Sequence, residues 1–299
     1  MELIWVPIAM LAGLMQALRT AAQKSLNARL STWMTTYVRS IWGLPFMLVY
    51  LWAVVTWEGL GTPRFHADYL AHCAGAAFSQ VMGTFLLIRL FTLSNFAVGT
   101  MLTKTDVMQA AIIGSIFFTE TITPSGWLAI VLSVLGVILL SVRRAGALLQ
   151  GGVSASATVI GLASAFFFCL SYLFLREASL VLEQGSNVWR GAWSVVVVTS
   201  LQVVFLGIWL ASQPRERAEF AKLPGLVRPS LFIGATSAIG SIGWFTAMAM
   251  HNASYVKAVG QVEVIFTVLI STLWFRERIT APQYAGIATL VVAVILFVV

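Results

Sequence analysis

A chain of 299 residues that is 59% hydrophobic and only 10% charged, with a mean hydropathy of +0.91, carries more apolar surface than one soluble core can hide, so it must face lipid. Its net charge of +7 is scattered over the segments between apolar runs and forms no basic stripe, which fits the loop charge of a membrane protein and argues against a nucleic-acid partner. Cys73 and Cys169 fall inside apolar runs, and His66, His72 and His251 lack metal-ligand spacing. Neither a disulfide framework nor a metal site is expected, and no cofactor-binding or catalytic motif is present to support an enzyme.

A transmembrane helix needs about 20 mostly apolar residues. About ten such runs follow one another, at 3–23, 34–57, 67–91, 94–118, 125–142, 155–175, 188–210, 230–250, 253–275 and 281–298. They are continuous rather than alternating, which selects helices over membrane strands. The first run is too long for a signal-peptide core and has no basic segment before it. It is expected to be retained, with the mature chain starting near Met1.

Within the first span, Gln16, Arg19, Thr20 and Gln23 form a polar stripe at helical spacing, suited equally to a cavity wall or to a helix end leaving the membrane. Arg39 in the second span and Arg190 in the seventh occupy matched positions; Arg190 is close enough to its span start to snorkel. Lys104 sits about ten residues into the fourth span, roughly 15 Å along the axis at about 1.5 Å per residue, near the bilayer midplane. Charges there are expensive and point to function by default. Asp106 is two positions on and projects about 160° away from Lys104, so the two are poorly placed to pair. The ninth span carries Lys257 and Glu263, again not an intrahelical pair. Pairing Lys104 with Glu263 and Lys257 with Asp106 would compensate all four charges, whether for transport or only for scaffolding. Trp42 and Trp244 lie deeper than the other tryptophans, which mostly mark span ends, and suit core packing or a cavity wall. Glu120 and Glu277, just before the fifth and tenth spans, read as helix caps ahead of any coupling role. Small residues such as Gly99 to Gly114 and Gly240 to Gly243 imply close helix contacts.

The second half repeats the first. At an offset of 157, Asn95 aligns with Asn252, Asp106 with Glu263, Phe118 with Phe275, Glu120 with Glu277 and Thr123 with Thr280. Five spans per half is an odd number, so the second half enters the membrane upside down. The expected fold is an all-α membrane protein with about ten transmembrane helices in two inverted five-helix repeats, 1–150 and 151–299, joined at Gly151-Gly152. Lys and Arg concentrate after odd-numbered spans, as with Lys24, Arg29, Arg215, Arg217, Lys222 and Arg228, while even-numbered spans are followed by little beyond Arg64 and Arg176. By the positive-inside rule both termini lie outside the cytoplasm.

The paired segments Phe118-Thr119-Glu120-Thr121-Ile122-Thr123 and Phe275-Arg276-Glu277-Arg278-Ile279-Thr280 resemble the Gly-Glu-x-(Leu/Ile)-Thr turn found in both halves of EamA-like carriers of the drug/metabolite transporter superfamily. The chain departs from that pattern at the glycine, which is Thr119 in one half and Arg276 in the other. It also lacks the acidic residue within the first span that small multidrug resistance proteins use, which disfavours export of lipophilic cations. The resemblance covers essentially the whole chain and implies two inverted repeats, a central cavity and alternating access; family habit places the termini inside, against the charge count.

The functional expectation is a secondary active transporter of a small polar metabolite, an amino acid or a related organic anion or zwitterion. Substrate contacts are expected from Lys104, Lys257, Arg39, Arg190, Gln16 and Trp244, and proton coupling from Asp106 or Glu263. The expected partners are the small-molecule substrate and the lipid of a plasma or bacterial inner membrane, with a monomer sufficient. A passive pore and a structural or lipid-handling protein remain the alternatives.

Overall fold

The structure, a computed structural model, describes residues 3–93, 102–149, 155–266, 268 and 280–298, without the side chains of 141–149 and 298. Every regular element among the described residues is helical: α1 (Trp5–Leu26), α2 (Thr32–Glu58), α3 (Ala67–Leu93), α4 (Asp106–Phe117), α5 (Pro124–Leu149), α6 (Ala155–Val181), α7 (Asn187–Ser212), a short α8 (Pro214–Glu219) continued by a 3-10 turn over Phe220–Leu226, α9 (Val227–Met250), α10 (Ala253–Gly260) and α11 (Ala281–Val298). Among them, five helical stretches are long and apolar enough to cross a bilayer by length and composition. Their outward faces carry side chains such as Trp52 (69% exposed) and Ile208 (65% exposed). So large an apolar exterior is stable only against lipid.

Most helices pack chiefly across the repeats. α1 lies on α9 and α3 on α6, which are equivalent contacts under a two-fold exchange of the halves, while α5 lies on α11 and α2 on α7. The α5–α11 seam shows why. Ala129 and Gly136 align with Gly286 and Ala293 at the repeat offset, so both helices present small residues seven apart. A Cβ on Gly136 would come 2.7 Å from Leu290, and one on Gly286 would come 2.8 Å from the Gly136 carbonyl. The backbones meet because no side chain separates them.

The α2 and α7 ends meet reciprocally. Ser31, the N-cap of α2, accepts from Met34 N–H; its own N–H donates to Glu219 (3.1 Å) and its Oγ to Glu216 (2.5 Å), both just beyond the end of α7. Ser186, the N-cap of α7, accepts from Val188 and Trp189 N–H, and donates through N–H (3.3 Å) and Oγ (2.5 Å) to Glu58 at the end of α2. Each helix therefore starts where its partner stops, so α2 and α7 run antiparallel, as inverted repeats require.

The fourth and ninth spans are not the uninterrupted helices that hydropathy predicts. The α-helical ladder tightens into turns at Lys104-Thr105 and Gln261-Val262, where Thr105 N–H bonds to Leu102, Gln261 N–H to Ala258 and Val262 N–H to Val259, each three residues back. The two interruptions align at the repeat offset of 157. Hydropathy misses them because both interruptions lie within continuous apolar runs; Gly260 borders the second, and no Gly or Pro directly adjoins the first.

Candidate functional site

Asp106 begins α4 immediately after one interruption, and Glu263 follows the other, so both carboxylates occur where the regular helix restarts. Lys104 forms an ion pair with Glu263, and Lys257 approaches Asp106 at 4.0 Å. Both bridges run from one repeat to the other, the pairing that compensates four charges which cannot pair along their own helices. The interruptions also touch, since the Gln261 side-chain amide donates to the Lys104 carbonyl at 3.3 Å. All four charged side chains are buried. Tyr172 of α6 donates its hydroxyl to Asp106 Oδ2 at 3.0 Å. The Lys257 ammonium sits over two rings, 4.0 Å from the Trp244 centroid and 4.3 Å from that of Tyr172. Cation–π contact with two rings replaces part of the hydration that burial strips from the ammonium.

Beside these pairs lies a narrow cavity lined by Gln16, Arg19, Arg39 and Gln80 together with Phe168, Tyr172, Leu175, Ser241, Trp244, Phe245 and Met248. With the side chains so placed, its free space holds about one water. Gln16 accepts from the Trp244 indole N–H at 3.1 Å and ties α1 to α9 across the cavity. Arg39 donates to Thr84 (2.9 Å), Gln80 (2.5 Å) and Gln202 (3.3 Å), and Gln202 donates in turn to Gln80 (2.7 Å). Every acceptor is neutral. Arg19 is 5% exposed and its Nε has no hydrogen-bond partner. Among the described residues neither guanidinium has a carboxylate partner, and no Asp or Glu lines the cavity. Among the described residues, two buried positive charges in one enclosure thus have no carboxylate to compensate them. That arrangement is costly unless an anion visits it.

Of the residues singled out from sequence, Gln16, Arg39 and Trp244 line the cavity, and Lys104, Lys257, Asp106 and Glu263 form the adjoining charge layer. Arg190 joins neither. Its guanidinium donates to the carbonyls of Glu183, Gln184 and Gly185 in the α6–α7 turn, because it lies one helical turn inside α7 and reaches back over the helix end. Matched sequence position with Arg39 did not carry matched surroundings. Arg19, ambiguous in the sequence stripe, belongs to the cavity.

Glu120 is a cap, but of a helix in the other repeat. It does not cap α5, whose start is held by Thr123 Oγ1 accepting from Gly126 N–H at 3.1 Å. Instead its carboxylate accepts from Ala253 N–H and Ser254 Oγ, both at 2.7 Å, at the start of α10. Arg176, which hydropathy placed in a loop, lies inside α6. It faces Glu120 at 3.6 Å and donates to the carbonyls of Met248 and His251, so it ties off the end of α9. Tyr255 completes this junction by bonding to Thr123. Thr119, where the family pattern has glycine, takes φ +52. Glu277 and the Arg276 and Arg278 around it lie outside the described residues, as do Asn95, Gly99 and Gly151-Gly152. Gln80, Gln202 and Tyr172 were invisible in the sequence, since single polar residues in apolar helices carry no spacing signal.

Comparison with known proteins agrees with this architecture. No curated protein matches. Among 28 matching chains of solved structures, one crystal structure, described only as that of a protein, superposes with a TM-score of 0.68 at 14% identity, covering 99% of this chain and 96% of its own. At that identity the likeness concerns the fold alone. The EamA-like transporter family matches twice, over residues 3–142 and 155–299, so each half is one family unit and together they span nearly the whole chain. With its doubled helical unit and its cross-repeat centre, this multi-pass membrane protein belongs to the EamA-like transporter family.

Proposed function

We propose that the protein is a secondary active carrier of a small anionic metabolite, an amino acid or another organic acid, working by alternating access in a plasma or bacterial inner membrane. The observation that carries this reading is the pair of buried guanidiniums, Arg19 and Arg39, enclosed with neutral partners only. An anion between them supplies the charge that the fold withholds. The neighbouring interruptions favour a carrier, because unwound helix segments near the midplane at a repeat interface are where such proteins hold their substrates. Rocking of one half, 1–150, against the other, 151–299, would expose the cavity to each side in turn. Proton coupling belongs in this reading to Asp106 or Glu263, at equivalent positions of the two repeats.

The test is counterflow in proteoliposomes. Vesicles loaded with an unlabelled organic acid should accumulate the labelled one transiently and saturably, and Arg39→Gln should abolish this. A non-saturable leak without counterflow would instead indicate a pore, and transport restricted to cations would refute the reading.

A further inference from the structure

Resting on the anion-carrier reading, we infer that the substrate is a carboxylate with an apolar, preferably aromatic, body and no ammonium group. The cavity is divided in its chemistry. Arg19, Arg39, Gln80, Gln16 and Ser241 are its charged and polar members, whereas Phe168, Tyr172, Leu175, Trp244, Phe245 and Met248 supply a largely apolar wall with four aromatic rings, the Trp244 N–H and the Tyr172 hydroxyl being engaged by Gln16 and Asp106. One carboxylate can bridge two guanidiniums through charge-assisted bonds. The apolar wall offers no partner to a second carboxylate or to hydroxyls, so a dicarboxylate or a sugar acid would leave polar groups unpaired there. A flat hydrocarbon body matches that wall in chemistry, and the cavity must widen to admit it.

An ammonium group is excluded by what is already occupied. Among the described residues no acid lines the cavity, and those of the adjoining layers are paired outside it: Asp106 through Oδ2 with Lys257 and Tyr172, Glu263 with Lys104, and Glu120 with Arg176 and the start of α10. The amide oxygens on the cavity wall are also in use, that of Gln16 by Trp244 and that of Gln80 by Arg39 and Gln202. A substrate ammonium would therefore enter next to two guanidiniums and the Lys257 ammonium behind the Trp244 and Tyr172 rings, with no anion among the described lining residues to meet it. This departs from the amino acid favoured by sequence, where Asp106 and Glu263 counted as available.

The experiment is a thermal-stability titration of the purified full-length protein in detergent with four probes, and with propionate and phenethylamine as controls. 3-Phenylpropionate has the proposed chemistry; phenylalanine adds only an α-ammonium, 3-phenylpropanol removes only the charge, and succinate replaces the ring by a second carboxylate. Stabilisation by 3-phenylpropionate, with the other three at least about tenfold weaker, is expected from the loss of a charge-assisted contact or of ring burial. Arg19→Gln should weaken 3-phenylpropionate by about tenfold or more, and Arg19→Lys by less, which separates loss of charge from loss of fold. Trp244→Phe should weaken 3-phenylpropionate more than propionate, a difference that general destabilisation would not produce. Equal binding of phenylalanine would overturn the exclusion of ammonium, and preference for succinate would overturn the apolar body; in either case the anion-carrier reading stands. If phenethylamine or the neutral alcohol binds while no anion does, both readings fall.

Discussion

The buried pair of Lys104 and Glu263 can be tested separately as scaffold and as transport machinery. Removing Lys104 leaves the Glu263 carboxylate buried beside an empty place, a loss of about 3 kcal/mol for a broken buried pair. Lys104→Ala should therefore lower the melting temperature, and adding Glu263→Gln in the same chain should restore much of it by removing the charge that faced the lysine. Transport should not return in the double variant. Full recovery of counterflow along with stability would reduce the pair to scaffolding. At the equivalent acid, Asp106→Asn should preserve substrate exchange while removing accumulation driven by a pH gradient, measured in the same vesicles with and without an imposed gradient. Retained pH-driven accumulation in both Asp106→Asn and Glu263→Gln would place coupling elsewhere. The lysine and the acids were conspicuous in the sequence, since charges are rare in apolar runs and each had to find a partner off its own helix. Arg19 was not, because a polar stripe near a helix end looks the same whether it lines a cavity or meets the headgroups.

At the scale of elements, the junction around Glu120 depends on a backbone turn with a residue ill suited to it. Thr119 holds φ +52, a region in which a β-branched side chain is strained. Thr119→Gly relieves about 1 kcal/mol of that strain and should raise the melting temperature by a few degrees. No change, or a decrease, would mean that the side chain contributes contacts outweighing the strain. The α5–α11 seam makes the opposite prediction: Gly286→Val places side-chain atoms where the Gly136 carbonyl and Leu140 already lie, at a cost of about 1–3 kcal/mol. Loss of a monodisperse peak in size-exclusion chromatography is expected, and an unchanged profile would show that the seam can open. The family glycine missing at Thr119 was visible as a departure from a pattern. Its conformational meaning came only from the backbone angle.

For the whole molecule, the latches Ser31–Glu216/Glu219 and Ser186–Glu58 lie at opposite ends of the antiparallel α2–α7 pair, on the two faces of the membrane. The segment after α7 that supplies Glu216 and Glu219 also carries Arg215, Arg217, Lys222 and Arg228, the densest basic stretch among the interhelical segments. With Arg176 committed to Glu120 and the end of α9, even less free positive charge remains on the other face. The 211–229 segment is therefore expected in the cytoplasm and Val299 outside. Labelling of single cysteines with an impermeant reagent in intact cells checks this: modification between 211 and 229 would reverse the orientation.

Membrane embedding, helical class and the doubled five-helix plan followed from sequence alone, because hydropathy is a sum over about 20 residues and a repeat is a comparison of the chain with itself. Those quantities survive ignorance of what touches what. The interruptions at Lys104-Thr105 and Gln261-Val262, the reassignment of Glu120 from its own helix to α10, the departure of Arg190 from the centre and the arrival of Arg19 were decided only by tertiary structure. Each depends on which partner meets a polar group once helices from the two repeats are in contact. In a bilayer, which offers such groups nothing, that partner settles whether a buried charge is neutralised or left for a ligand.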